Sequence, residues 1–218
     1  MSSNIIFNEL FEKKILKIEF NNSSKKNALS LEMLEEIASK LSRSSFITKF
    51  KCIVITGTKK TAFSSGADLD DLKKLINNNN MNFYHKKMNN LLKIITELKI
   101  PVISVIRSHC FGAGFILALH SDILIAAESA CFCIPAAKLN IKIPKKQLLY
   151  LQKKINQSFF KDIILTSRKF KASEAYSQNI INAYIKDREL DNFTNNYLNK
   201  IVNTEKKINA FYLNFLKN

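Results

Sequence analysis

Hydrophobic and polar positions follow two different periods along this chain. Leu16, Ile18 and Phe20 alternate with polar neighbours, which is the two-residue period of a half-buried strand. Other apolar residues come in short continuous runs, whose length is typical of strands covered on both faces. These runs predict buried strands at 52–56, 102–106, 123–126 and 131–134.

Helical spacing appears between these strands. Ser30 has the residue type of a helix N-cap, and Leu34, Ile37 and Leu41 follow it at three- and four-residue intervals. The same spacing predicts a longer amphipathic helix over 83–98. The segment 112–119 is apolar all round and predicts a buried helix.

The remaining segments complete the predicted architecture. The polar stretch 77–80 is expected to be a loop, and the pattern from Gln147 to the end is typical of helices. One of these helices is expected to start within 171–175, with Lys171 or Ser173 near its N-cap. Strands that alternate with helices and lead into a helical tail predict an α/β domain.

The size and composition fit a single globular domain. The chain has 218 residues, and its 46% apolar content is enough to fill a large core. No apolar run reaches the length of about 18 residues that a membrane span needs, and residues 1–4 lack the pattern of a signal peptide. We therefore expect a cytoplasmic protein with no membrane partner.

The four cysteines predict buried free thiols. Each lies in an apolar run, and no two form a C-x-x-C pair, so we expect no metal site. They are Cys52, Cys110, Cys131 and Cys133.

The net charge of +16 would attract a polyanion or a phosphorylated ligand. The lysines are spread along the chain, however, which favours a general bias in composition. A phosphorylated small ligand is the main functional alternative. The sequence lacks the interleaved aromatic and basic residues expected for base stacking, so nucleic acid is not expected as a partner.

All four glycines lie in two short stretches of the chain. Gly57 and Gly66 belong to the first, and Gly112 and Gly114 belong to the second. Average usage would give roughly 15 glycines in a chain of this length. Because glycine is needed where the backbone takes positive φ or makes a close approach, the two stretches predict one functional site.

Several ordered segments resemble the crotonase superfamily, which contains enoyl-CoA hydratases, enoyl-CoA isomerases and related acyl-CoA enzymes. The resemblance runs from about residue 16 to about residue 182. The segments that carry it are 26–29 (K-N-A-L), 54–57 (V-I-T-G), 62–69 (A-F-S-S-G-A-D-L), 99–104, 112–114 (G-A-G), 121–126, 165–168 and 172–175.

The resemblance implies an α/β fold of the ClpP/crotonase type, which is a spiral β-β-α superhelix with a helical C-terminal trimerisation region. It implies a core domain over 1–165 and a helical C-terminal region over 166–218 that is shorter than in the family. A homotrimer or a hexamer is the expected assembly.

The resemblance also implies chemistry on an acyl-CoA or acyl-carrier thioester. Backbone amides of Ser65 and Ala113 would stabilise an enolate at the thioester carbonyl, as an oxyanion hole. Coenzyme A would enter as part of the substrate, and no separate cofactor is expected. The residues expected to bind it are Lys25, Lys26, Ala28, Ser64, Gly66, Ala67, Asp68, Leu69, Gly112 and Gly114.

The sequence departs from the family at the catalytic carboxylates. Ile116 and Ala136 stand where hydratases of this family carry two glutamates, and neither can move a proton. His109 is a further candidate for chemistry, on the expected loop into the buried helix. Family glycines are also replaced, by Ser108, Asn140, Ser167 and Asn179.

Three functions remain open at this point. The first is an enzyme resembling the hydratases and isomerases, with its proton-transfer group elsewhere in the fold. The second is an acyl-thioester decarboxylase, because loss of CO₂ generates the enolate without a base. The third is a catalytically silent homologue that binds CoA or RNA.

Overall fold

The structure is a computed structural model that describes residues 4–12, 14–58, 61–78 and 80–217. Within these ranges the chain forms nine strands: β1 (Ile5–Leu10), β2 (Ile15–Phe20), β3 (Cys52–Gly57), β4 (Val102–Ile106), β5 (His109–Phe111), β6 (Ile123–Ala127), β7 (Cys131–Cys133), β8 (Phe170–Lys171) and β9 (Ala183–Ile185). The ten α-helices of the same ranges are α1 (Leu31–Leu41), α2 (Ser44–Ile47), α3 (Leu69–Asn77), α4 (Met81–Glu97), α5 (Ala113–Leu119), α6 (Lys145–Lys154), α7 (Gln157–Thr166), α8 (Ala172–Ser177), α9 (Leu190–Val202) and α10 (Lys206–Leu216).

The strands form two sheets. The larger sheet has the order β1-β2-β3-β4-β6-β9, in which only β1 and β2 pair antiparallel. The smaller sheet has the order β5-β7-β8. Because parallel neighbours need crossover connections, helices lie between the strands of the larger sheet, and the α/β architecture expected from the sequence is confirmed.

The central strands β3, β4 and β6 of the larger sheet are buried on both faces, which explains their continuous apolar runs. Ile53 and Ile55 of β3 belong to the main core, together with the inner faces of α1 and α4. Cys52 and Val54 belong to a second apolar cluster, which is closed by Leu190, Leu198 and Val202 of α9.

Local signals in the sequence predicted several elements closely. Ser30 caps α1, and its side chain accepts a hydrogen bond from Met33 N. Strand β4 has its predicted bounds, and the buried helix α5 begins one residue later than expected. Lys171, rather than Ser173, is the N-cap of α8.

Other elements depend on partners that are distant in sequence. Strand β1 was not predicted, and it pairs over six residues with β2 at the edge of the sheet. The expectation of helices alone beyond Gln147 is wrong at β8 and β9, which pair with β7 and β6. In the stretch 77–80, Asn77 ends α3 and Asn80 precedes α4, while residue 79 lies outside the described residues, as do 1–3.

The cysteines are free thiols, and three of them are buried, as predicted. Cys131 is partly exposed. Burial raises the pKa of the Cys52 thiol to about 12, so it is not a reactive thiolate. The described part of the chain contains no group of three metal-ligating side chains, and none of its helices is long and apolar enough to cross a membrane.

Three of the four positions where family glycines are replaced keep a left-handed backbone. Asn140, Ser167 and Asn179 have φ of 52°, 51° and 56°. Asparagine tolerates this conformation better than most residues, but serine does not. Ser167 is the C-cap that follows α7, and its buried hydroxyl has no hydrogen-bond partner among the described residues.

Replacing Ser167 by glycine should therefore stabilise the protein. Ser167→Gly removes the Cβ that opposes positive φ and also removes the unpaired hydroxyl, so we expect a gain of about 1 kcal/mol. Ser167→Ala removes only the hydroxyl and is the matched control. The urea concentration at the unfolding midpoint should be higher for Ser167→Gly than for Ser167→Ala, and equal midpoints would contradict the role given to the backbone conformation.

Candidate functional site

One cavity brings together most of the residues singled out in the sequence. Its volume is about 340 Å³, at the lower end of the range of about 300–1,000 Å³ typical of ligand pockets. The predicted residues that line it are Lys25, Ala28, Ser65, Gly66, Ala67, Asp68, Leu69, Gly112, Ala113, Ile116 and Ala136.

Backbone pairing builds the floor of this cavity. The segment around Gly66 makes a parallel bridge to Leu29 on one side, through Leu29 N to Gly66 O (2.7 Å) and Asp68 N to Leu29 O (3.0 Å). On the other side Ser64 pairs with Cys110 of β5. The segment 64–68, called the glycine strand below, is therefore fixed between Leu29 and Cys110.

Gly66 must be a glycine at this position. Its φ is +113°, a conformation that L-residues rarely adopt, and a Cβ there would lie 3.3 Å from Phe111 O and 3.7 Å from Ala113 N. The backbones of the two glycine stretches thus meet at the cavity wall. Glycine placement alone predicted one functional site for the two stretches, and this contact is consistent with that prediction.

The hydrogen bonds change the choice of oxyanion donors. Ser65 N–H donates to Lys26 O over 2.9 Å, so it is not a free donor toward the cavity. Ala67 N–H and Ala113 N–H both lie at the cavity wall and have no acceptor among the described residues. Ala113 is the first residue of α5, where an amide has no intrahelical acceptor.

Ala67 is free for a different geometric reason. In its parallel bridge with Leu29, the two hydrogen bonds are made by the flanking Gly66 and Asp68. The amide of Ala67 itself therefore points away from Leu29.

A charged cluster forms part of the cavity lining. Lys25 Nζ lies 2.8 Å from Asp68 Oδ2 and 2.7 Å from Asp70 Oδ2. Hydrogen bonding to Lys25 holds the pKa of Asp70 below its ordinary value. Since two carboxylates face the ammonium group, Lys25 does not offer a free positive charge to a phosphate.

Four of the predicted site residues do not line the cavity. Buried Ser64 has a packing role, because its Oγ accepts from Gly66 N at 3.1 Å and a Cβ on Gly114 would lie 2.4 Å from its Cβ. Lys26 and His109 line a separate depression beside Arg107 and Ser129. His109 also lies on β5 rather than on a loop, with Nδ1 3.1 Å from Ser108 Oγ.

The two positions without carboxylates do face the cavity. Ile116 is only 5% exposed, and Ala136 is partly buried. Glu128 is the nearest acidic residue before the segment that contains Ala136, but it is exposed and lies outside this cavity. The wall where a hydratase would place acid and base is therefore aliphatic.

The sequence analysis missed the wall that α4 contributes. Met81, Tyr84, His85 and Met88 line the cavity, and their spacing of three and four residues places them on one face of the helix. The buried Tyr84 hydroxyl donates to Leu29 O at 3.1 Å, and burial raises the pKa of Tyr84. The helical spacing was visible in the sequence, but which face met the glycine stretches was not.

Asp68 should be important for stability as well as for the shape of the site. Its carboxylate caps α3 by accepting from Asp70 N and Asp71 N, and it is 3% exposed. Asp68→Ala should lower the free energy of unfolding by about 1 kcal/mol or more, because loss of a capping side chain typically costs about 0.5–2 kcal/mol.

The controls separate capping from surface charge. Asp68→Asn keeps an acceptor for the helix amides and should retain most of the stability. Asp70→Asn changes an exposed carboxylate and should stay within about 0.5 kcal/mol of wild type in urea unfolding. A wild-type midpoint for Asp68→Ala would show that the cap does not stabilise this fold.

Comparisons with known proteins place this architecture in a family. The sequence model of the enoyl-CoA hydratase/isomerase family matches residues 11–217. Carnitinyl-CoA dehydratase of Salmonella paratyphi A is 33% identical over 110 residues, which are 50% of this chain and 42% of that enzyme. The enoyl-CoA hydratase/isomerase candidate YngF of Bacillus subtilis is 31% identical over 175 residues, which are 80% of this chain and 66% of that protein.

Solved structures agree on the fold. An enoyl-CoA hydratase/carnithine racemase from Magnetospirillum magneticum superimposes with a TM-score of 0.92 at 23% identity, covering 99% of this chain and 80% of that one. The ClpP/crotonase-type fold expected from the sequence is thereby confirmed, with its helical C-terminal region. The chain belongs to the enoyl-CoA hydratase/isomerase family, within the crotonase superfamily that its segments resemble.

Proposed function

We propose that this protein binds an acyl-CoA thioester and stabilises its enolate through the amides of Ala67 and Ala113. The observation that carries the proposal is the pair of N–H groups at one cavity wall without an acceptor among the described residues. Preorganised donors of this kind act where negative charge develops in the transition state. The names of the relatives, which are enzymes of acyl-CoA substrates, support the same substrate class.

The rest of the cavity favours an uncharged aliphatic acyl group. Its remaining walls are formed mainly by aliphatic and methionine side chains, including Met81, Met88, Ile116, Ile134, Ile141 and Ile143. Lys25 is balanced by Asp68 and Asp70, so the cluster offers no free cation for a substrate carboxylate. The lining cation without an ion-pair partner among the described residues is Lys142, which is exposed, so solvent would compete with it for the carboxylate that a decarboxylase substrate carries.

The amide of Ala113 can be tested with acetoacetyl-CoA, whose enolate absorbs in the ultraviolet. Wild type should bind this thioester as the enolate. Ala113→Pro removes the N–H and should weaken enolate binding by about 10²-fold or more, since one oxyanion donor is typically worth about 10²–10³.

Two variants serve as controls for this experiment. Ala113→Gly keeps the N–H and should bind as wild type does, and Ser65→Ala should be nearly silent because it leaves every backbone amide in place. Circular dichroism checks that Ala113→Pro is folded. A folded Ala113→Pro variant with wild-type enolate binding would refute the assignment of this donor.

Hydration of crotonyl-CoA should be weak in this protein. We expect a rate about 10²–10⁴-fold below that of a relative with two glutamates, which is the typical worth of positioned acid and base groups. The physical reason is the pair Ile116 and Ala136, which cannot supply protons. Loss of the enoyl absorbance of crotonyl-CoA measures the rate.

A gain-of-function comparison strengthens this test. The double variant Ile116→Glu/Ala136→Glu should raise the hydration rate, whereas Ile116→Gln/Ala136→Gln should not. Wild-type turnover equal to that of a two-glutamate hydratase would show that another group in the cavity performs both proton transfers.

A further inference from the structure

We propose that His85 is the proton-transfer group of this site, and that it makes the enzyme an isomerase-type catalyst acting on aliphatic acyl thioesters. The inference rests on the proposed function, because it needs a thioester held in the same cavity. In this proposal, the single imidazole of His85 on α4 does the work of the missing pair of carboxylates.

The position of His85 separates it from the other histidines. It lies on the face of α4 that lines the cavity shared with Ala67 and Ala113. His109 lines a different depression. His120 is stacked on Tyr150 with ring centroids 3.7 Å apart, and its Nδ1 lies 2.8 Å from Ile116 O. His85 is thus the imidazole of the cavity among the described residues.

The cavity's other titratable groups are engaged or unsuited to accept a proton. Lys25, Asp68 and Asp70 form the charged cluster of the cavity lining. The Tyr84 hydroxyl donates to Leu29 O, and the ammonium of exposed Lys142 has no lone pair to accept a proton. His85 has no hydrogen-bond partner for its ring among the described residues.

The surroundings keep the His85 imidazole neutral. The ring is half-buried, and burial lowers the pKa of His85 below its ordinary value.

The charged groups on neighbouring elements are largely paired with each other. Glu35 of α1 forms an ion pair with Lys87, and Lys25 forms ion pairs with Asp68 and Asp70. Asp71 of α3 accepts from Leu31 N, and Lys86 and Lys142 are exposed. A neutral imidazole near physiological pH can act as a general base.

The step that follows consumes no water and uses no second proton-transfer group. The imidazole takes a proton from the carbon next to the thioester carbonyl, and the C–H electron pair moves to the carbonyl oxygen to give the enolate. The imidazolium then returns the proton. If the imidazolium first exchanges its proton with water, return to the same carbon leaves a solvent proton there; return to the γ-carbon of a 3-enoyl thioester moves the double bond to position 2.

The test is exchange of the α-protons of butyryl-CoA in D₂O, followed by mass spectrometry. Wild type should exchange them, with activity falling on the acid side as the imidazole protonates, at a lower pH than for an ordinary histidine because burial lowers the pKa of His85. His85→Gln should lower the exchange rate by about 10²–10⁴-fold and abolish this acid limb, while binding acetoacetyl-CoA within about threefold of wild type. Added imidazole should partly restore exchange in His85→Ala.

His109→Gln is the matched variant, because it removes the imidazole of the neighbouring depression. Its exchange rate should stay close to that of wild type. Wild-type exchange in folded His85→Gln, or loss of exchange in His109→Gln alone, would overturn the assignment of His85.

The two proposals can fail separately. If wild type binds acetoacetyl-CoA as the enolate but does not exchange the α-protons of butyryl-CoA, the role of His85 is refuted and the oxyanion site stands. If acetoacetyl-CoA does not bind, the proposed function fails, and the role of His85 fails with it.

Discussion

The site depends on the backbone pairing that fixes the segment around Gly66. Leu29 pairs with Ala67 on one side of this segment, and Cys110 pairs with Ser64 on the other. A side chain at Gly66 would be strained where the two glycine stretches meet, because Gly66 has φ of +113° and a Cβ there would lie 3.3 Å from Phe111 O. The absence of glycine from the rest of the chain shows how local this requirement is.

A second constraint holds the loop that faces the glycine strand. Asn27 is fully buried with φ of 57°, and its side chain accepts from Asn22 N and donates to Thr61 Oγ1 and Ala62 O. These bonds join two loops that are distant in sequence. They place the carbonyl of Lys26 where it accepts from Ser65 N, and they thereby decide which amides remain free.

The chemistry of the cavity follows from what its walls exclude. Aliphatic side chains at Ile116 and Ala136 leave no carboxylate opposite the free amides, and the charged cluster at Lys25 is internally balanced. Such a wall would strengthen hydrogen bonds to an enolate oxygen, because aliphatic side chains do not compete for the two amides. The kind of reaction that this proposed site can catalyse therefore depends on which side chain transfers protons.

The sequence by itself determined the features that depend on neighbours along the chain. Continuous apolar runs predicted the buried strands, Ser30 marked the start of α1, the clustered glycines indicated one site, and the family resemblance singled out Ile116, which lines the cavity. Tertiary structure decided which amides are free, which histidine reaches the cavity, and where β1 and β9 pair. Each of these depends on a hydrogen bond or packing contact between residues far apart in sequence, as with Lys26 O and Ser65 N, and local residue patterns carry no information about such partners.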